Sequence, residues 1–200
     1  MHRQYELVEP TGGDAAELGR VLLAAWLETY PNPAAGVDER WIRAQRGDSA
    51  TPEGACRWRE FIESTTRDPD RSFCRVVRRG PQAPIVGFLC GRREDPASGG
   101  HVTLGPMYLL AAAQGLGIGR QMMAEFLDWA GPVPVLLWVT SYNESAVRFY
   151  RHYGFQPTGE RELWQGRLPN ERMRRAAEVA ADQAGWRSGT AGIKPGRNVG

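Results

Sequence analysis

The sequence predicts a single domain of the α/β (α+β) class, a mixed and mostly antiparallel sheet flanked by helices on both faces. Three observations predict it. A loop that is half glycine, Gln114-Gly115-Leu116-Gly117-Ile118-Gly119, joins an apolar strand-like run (103–110) to a strongly amphipathic segment (120–129). Short apolar segments ahead of that loop are joined by tight turns, as antiparallel neighbours are. Behind it, strand and helix patterns alternate as far as residue 174. At 200 residues with 42% hydrophobic content, the chain suits one domain with a substantial core.

Residues 4–8 read as the first strand, followed by Thr11-Gly12-Gly13 and by Asp14 in the position of an N-cap. Leu18, Val21, Leu22, Ala25 and Trp26 then recur at three- and four-residue spacing, which predicts a helix over 14–29. Tyr30-Pro31-Asn32-Pro33 ends it. Segments 38–45 and 52–65 read as two short helices around the Gly47-Asp48-Ser49 break, with Trp41, Ile42, Trp58, Phe61 and Ile62 available for packing. Segments 72–77 and 85–91 form an antiparallel pair joined through Arg78-Arg79-Gly80-Pro81. The strand over 102–110 contains Gly105-Pro106, and because proline removes a ladder hydrogen bond a bulge or splay is expected there. Ile118, Met122, Phe126 and Trp129 give the next helix one apolar stripe, which reads as core. A strand (133–139), a helix (143–153) and two strands (155–164 and 168–174) complete the sheet. Residues 1–175 are expected to form the domain, and the small, polar, glycine-containing residues 176–200 a flexible tail.

Composition excludes several function classes. No apolar run of about 18 residues and no signal-peptide core is present, which predicts a soluble cytoplasmic protein with no membrane partner. A net charge of +2 is carried by scattered arginines, so nucleic-acid binding has no support. Cys56, Cys74 and Cys90 are odd in number and lack CxxC pairing, which argues against a metal site and predicts small buried hydrophobes.

A glycine-rich loop that opens a helix turns consecutive N–H groups toward one point, where the helix dipole adds positive charge. Such a loop favours a bound phosphate. It is not a Walker loop, since the only lysine is Lys194, and a dinucleotide fingerprint would need glycine in place of Arg120. Gln114-x-x-Gly117-x-Gly119 resembles the pyrophosphate-binding loop of the GCN5-related N-acetyltransferases (GNAT). Asn143-x-x-Ala146-x-x-x-Tyr150-x-x-x-Gly154-Phe155 resembles a second segment of the same family, in its order and at its separation. The resemblance is firm over 102–174. Before that it rests on element order and on Ala25-Trp26-Leu27-Glu28-Thr29-Tyr30.

The resemblance implies a GNAT-like αβ sandwich and acetyl-CoA as co-substrate. The main-chain amides of Gly115, Leu116, Gly117, Ile118, Gly119 and Arg120 would grip its diphosphate. Gln114 would line or brace the loop, the pantetheine arm would pair like an extra strand near Met107 and Leu109, and Asn143 would touch the arm. Arg120 and Arg151 are candidates to meet phosphates. Homodimers are frequent in the family.

Transfer from a thioester to an amine needs orientation, polarisation and a protonated leaving group, and no nucleophilic residue. Neither a Gly-x-Ser-x-Gly elbow nor a Cys/His arrangement is recognisable. A phenol is protonated at neutral pH, and Tyr150, two helical turns beyond Asn143, matches the family's general acid. Trp138 stands where other members carry a glutamate base. Glu28 is a candidate base acting through water, and Trp26, Glu28 and Tyr30 are candidates for the side of the amine acceptor, a small molecule or a peptide N-terminus. His101 and His152 read as surface or packing residues. A non-catalytic acyl-CoA-binding module on the same fold, and an unrelated nucleotide-binding protein, are the competing readings.

Overall fold

The computed structural model describes residues 5–177 apart from 96 and 98. Seven strands form one sheet: β1 (Glu6–Val8), β2 (Ser72–Arg78), β3 (Gly87–Arg93), β4 (Val102–Leu109), β5 (Val135–Thr140), β6 (Gln156–Trp164) and β7 (Leu168–Arg175). Their order is β1-β2-β3-β4-β5-β7-β6, and β4 with β5 is the parallel pair in an otherwise antiparallel sheet. Five helices cover it: α1 (Ala15–Thr29), α2 (Glu39–Arg46) and α3 (Pro52–Arg67) on one face, α4 (Ile118–Ala130) and α5 (Glu144–His152) on the other. The tail expected over 176–200 lies, from residue 178, outside the described residues.

Each face buries its own core. Met122, Met123 and Phe126 of α4 pack on Leu89, Leu104, Val135 and Leu137 of the sheet. Leu18 and Val21 of α1 and Ile62 of α3 pack on Val76 and Phe88. The helix starts follow from capping: Asp38 accepts from the Trp41 N–H at 2.7 Å, and Thr51 accepts from the Gly54 N–H at 3.2 Å with Pro52 behind it.

Asp14 is the N-cap residue of α1, as its position suggested, but its side chain makes no cap hydrogen bond to that helix. Its carboxylate accepts from the Thr11 N–H at 2.7 Å and pairs with Arg78 at 2.6 Å, a buried link between the start of α1 and the end of β2. Burial pushes this carboxyl up, but the hydrogen bonds from Thr11 and Arg78 outweigh it and hold the group below its ordinary value. The cysteines also divide. Cys74 and Cys90 are buried opposite each other with sulfurs 3.6 Å apart, whereas Cys56 is exposed on α3.

The expected disruption at Gly105-Pro106 is a bulge. Leu89 pairs with Met107 and Gly91 with Leu104, so two residues of β4 oppose Cys90. On its other side β4 pairs with β5 only at Val102–Val135 and Thr103–Leu136. Beyond that point the two strands separate, and the separation makes the site.

Candidate active site

A cleft of about 470 Å³ occupies the splay. Met107 and Leu109 of β4 line it, with Trp138 and Val139 of β5 across from them. Gln114 and Gly119 border it at the glycine loop, and Asn143 and Tyr150 at α5.

The loop has the main-chain geometry of an anion cradle. Gly115 (φ 75°) and Gly117 (φ 80°) are both left-handed, a conformation costly for any residue with a Cβ. This turn leaves the N–H groups of Gly115, Leu116, Gly117, Ile118 and Gly119 with no protein acceptor among the described residues. Arg120 and Gln121 are different, since their N–H groups bond back to the Gly117 carbonyl at 3.1 and 3.4 Å. Nothing lies within 4 Å of where a Gly115 Cβ would be, so there is open space beside the turn. The 13-residue helix α4 adds the positive end of its dipole.

The side chains around the loop have separate tasks. Gln114 Nε2 donates to the Leu109 carbonyl at 2.8 Å and braces the turn against the end of β4. Leu116 is 59% exposed, while Ile118 is core and can meet a ligand at the loop only through main chain. Arg120 is exposed, with its guanidinium beside Gly117. Asn143 Oδ1 accepts from the Ala146 N–H at 3.2 Å and from Ser145 Oγ at 2.9 Å, which caps α5 at the edge of the cleft.

Tyr150 is fixed by Phe149 and Phe155, whose ring centroids lie 5.6 and 5.8 Å from its own. Burial pushes its phenol well above the ordinary value near 10, and the neighbouring Tyr30 phenol adds to the shift. The hydroxyl therefore stays protonated at every physiological pH.

A second cavity of about 210 Å³ adjoins the first on the α1–α2 face. Tyr30, Tyr108 and Trp138 line both and form the common wall. The Tyr30 and Tyr108 hydroxyls are 3.1 Å apart, and the Tyr142 hydroxyl donates to the Tyr30 carbonyl at 2.9 Å. Burial raises all three phenols, that of Tyr142 to about 12. Trp26, Arg46 and Trp164 continue the lining.

Sequence reasoning thus reached Trp26 and Tyr30 but missed Tyr108, Arg46 and Trp164. Tyr108 had a signal, since it alternates with Met107 and Leu109 and must face the other side of the sheet. Glu28 lies elsewhere: its Oε2 accepts from the Ala111 N–H at 2.8 Å, and it borders the first cleft, not the second cavity. Among the described residues no group of three or more His, Cys, Asp or Glu could hold a metal ion. None of the helices there is long and apolar enough to cross a membrane.

Comparison with known proteins decides the family. The sequence model of the acetyltransferase (GNAT) family matches residues 35–155, more than half of the chain. The chain belongs to the GNAT family. The matched span includes both α2 and α3, where the motif resemblance was weak, as well as the glycine loop and the segment through Phe155.

Over 150 residues the chain is 31% identical to a mycothiol acetyltransferase from Thermobifida fusca, covering 68% of this chain and 46% of that protein. Over 53 residues it is 46% identical to the N-alpha-acetyltransferase RimI of Mycobacterium tuberculosis, covering 26% and 34%. The matches span between 24% and 46% of the length of these curated relatives. Its fold is that of the PaiA N-acetyltransferase from Thermoplasma acidophilum, solved in complex with coenzyme A. That likeness has a TM-score of 0.69 at 16% identity and covers 86% of this chain and 99% of that one.

Proposed function

We propose that this GNAT-family chain is an acetyl-CoA-dependent N-acetyltransferase that passes the acetyl group directly from the thioester to a primary amine of a small molecule or peptide N-terminus. The observation that carries the reading is the run of five unpaired amides from Gly115 to Gly119 at the edge of a cleft that Tyr150 borders. That run fits a diphosphate, and the cleft between the splayed strands fits an extended pantetheine arm beside Met107 and Leu109. Acetyl-CoA supplies an acyl group already activated as a thioester.

The residues then have these roles. The loop amides and the α4 dipole hold the diphosphate, with Arg120 adding charge from outside and Gln114 keeping the turn in shape. Asn143 orients the arm from the cap of α5. Tyr30, Tyr108 and Trp138 form the wall where sulfur and amine meet. The amine nitrogen bonds to the carbonyl carbon, the C–S bond breaks, and Tyr150 protonates the departing sulfur. The proton shed by the amine restores the phenol.

Two measurements on wild-type protein test this: calorimetric titration with coenzyme A, and thiol release from acetyl-CoA against a broad panel of primary amines. Saturable binding with amine-dependent thiol release is expected. Binding without transfer to any amine would replace the enzyme with a non-catalytic acyl-CoA-binding module, and absence of binding would overturn the whole reading.

A further inference from the structure

Arg46 is the last residue of α2, and its guanidinium carbon lies 4.3 Å from the centroid of the Trp26 ring and 4.8 Å from that of Trp164. The two rings, 5.4 Å apart, give it an aromatic bed inside the acceptor-side cavity. It is the one cation among the residues lining that cavity. Its Nε is buried without a hydrogen-bond partner, and its side chain makes no ion pair or hydrogen bond to protein among the described residues.

Other inward-facing arginines are treated differently. Arg78 has Asp14 and the Pro81 carbonyl, and Arg93 has the carbonyls of Asp70, Trp129 and Ala130. Arg57, in the cavity on the far side of Arg46, is already paired with Asp48 at 2.6 Å. Glu162 borders the same cavity as Arg46 but accepts from Asn170 at 3.0 Å and does not pair with it. A guanidinium is always charged, and a partly desolvated one without a counter-ion is costly to keep. A ligand that brings an anion removes that cost.

We propose that Arg46 binds a carboxylate of the acceptor, so that the substrate of this chain is an amine carrying a carboxylate group. With the guanidinium against two tryptophan rings and its Nε buried, what remains to a ligand is its pair of Nη groups, which matches a carboxylate with two parallel N–H bonds. The Glu162 carboxylate in the same lining favours a singly charged carboxylate over a more highly charged phosphate. Since Tyr30, Tyr108 and Trp138 line both this cavity and the coenzyme cleft, an acceptor anchored at Arg46 lies next to the cleft in which its amine would meet the thioester. The inference rests on the acetyltransferase reading and names the class of its acceptor.

The test compares matched primary amines, each as the free carboxylate, the carboxamide and the phosphonate, in wild type, Arg46→Gln and Arg46→Lys. Thiol release gives kcat and KM for each, and coenzyme A affinity is measured separately by calorimetry. Wild type is expected to prefer carboxylates about ten-fold or more in kcat/KM, through KM of the acceptor. Arg46→Gln abolishes the preference and Arg46→Lys restores part of it, with coenzyme A affinity within about two-fold of wild type in both, which also reports that they fold. Equal use of carboxylate and carboxamide, preference for the phosphonate, or turnover of other amines but of no amino carboxylate overturns this proposal alone. Failure to bind coenzyme A overturns the acetyltransferase reading instead.

Discussion

On the α4 side the groove is made of main chain: left-handed turns at Gly115 and Gly117, five unpaired amides and a helix end. On the α1–α2 side it is made of side chains that converge from distant parts of the sequence, Trp26 and Arg46 from helices, Tyr108 from β4, Trp138 from β5 and Trp164 from β6. Main chain offers every member of a family the same donors, and so it suits a ligand that the family shares. A side-chain pocket can be rebuilt without touching the loop, and so it suits the ligand that differs. The difference teaches where each kind of substitution should be felt.

The largest effect is expected where the two regions meet. Tyr150→Phe removes the proposed proton donor and leaves the ring packing, so kcat should fall roughly 100- to 1,000-fold while KM for acetyl-CoA barely moves. Steady-state kinetics check this, and an unchanged kcat would remove Tyr150 from the chemistry.

A substitution behind the side-chain pocket should disturb that side alone. A Cβ on Gly19 of α1 would stand 1.8 Å from the carbonyl oxygen of Ser49, in the turn that follows Arg46, so Gly19→Ala must push the two apart. The expected cost is about 1–3 kcal/mol in urea unfolding, with a raised acceptor KM and an unaltered affinity for coenzyme A. A variant of wild-type stability would mean that α1 and this turn are not so closely packed.

Gly117→Ala tests the main-chain side. The left-handed φ of 80° makes alanine strained by about 1–2 kcal/mol, and coenzyme A affinity should weaken about ten-fold. Gly119→Ala is the control, because Gly119 has no left-handed φ and its Cβ would meet Phe149 at an ordinary 3.6 Å. Equal losses from both would place the requirement in bulk and not in backbone conformation.

The smallest expected effect is a pH dependence that belongs to the shared wall and its neighbours. Tyr30, Tyr108, Tyr142 and Tyr150 hold their protons more tightly in the folded chain, with Tyr142 at about 12. In the unfolded chain the same phenols release theirs near pH 10. Their contribution is complete below about pH 10 and is lost as pH rises through the folded-state values, because the unfolded chain gives up its protons first. Urea midpoints should therefore be flat between about pH 7 and about pH 9 on account of these groups and fall by about pH 11. Substitution of Tyr108 by Phe should shallow that fall.

Much of this architecture was legible because its signals are local. Helix starts at Asp38 and Thr51, the bulge at Gly105-Pro106 and the turn at Gly115 and Gly117 each follow from residues within a few positions. Strand ends shifted by a residue or two, as for β3, which runs over Gly87–Arg93 and not 85–91. Ile118 and Gly119 proved to be the first residues of α4 as well as the end of the loop. Asp14 stands at the N-cap of α1 as its position suggested, but the bond of its side chain to Arg78 had no local signal, since that partner is 64 residues away. Arg46 and Trp164 were missed for the same reason: neither carries a local pattern, and only the fold brings them to Trp26.

The central claim is that successive amides of the glycine loop hold the diphosphate of coenzyme A. Amide chemical shifts of the isotope-labelled protein during titration with coenzyme A test it most directly. On binding, the amides of Gly115, Leu116, Gly117, Ile118 and Gly119 are expected to move together, downfield, with one saturation curve. Saturable binding that leaves these five resonances where they were would contradict it.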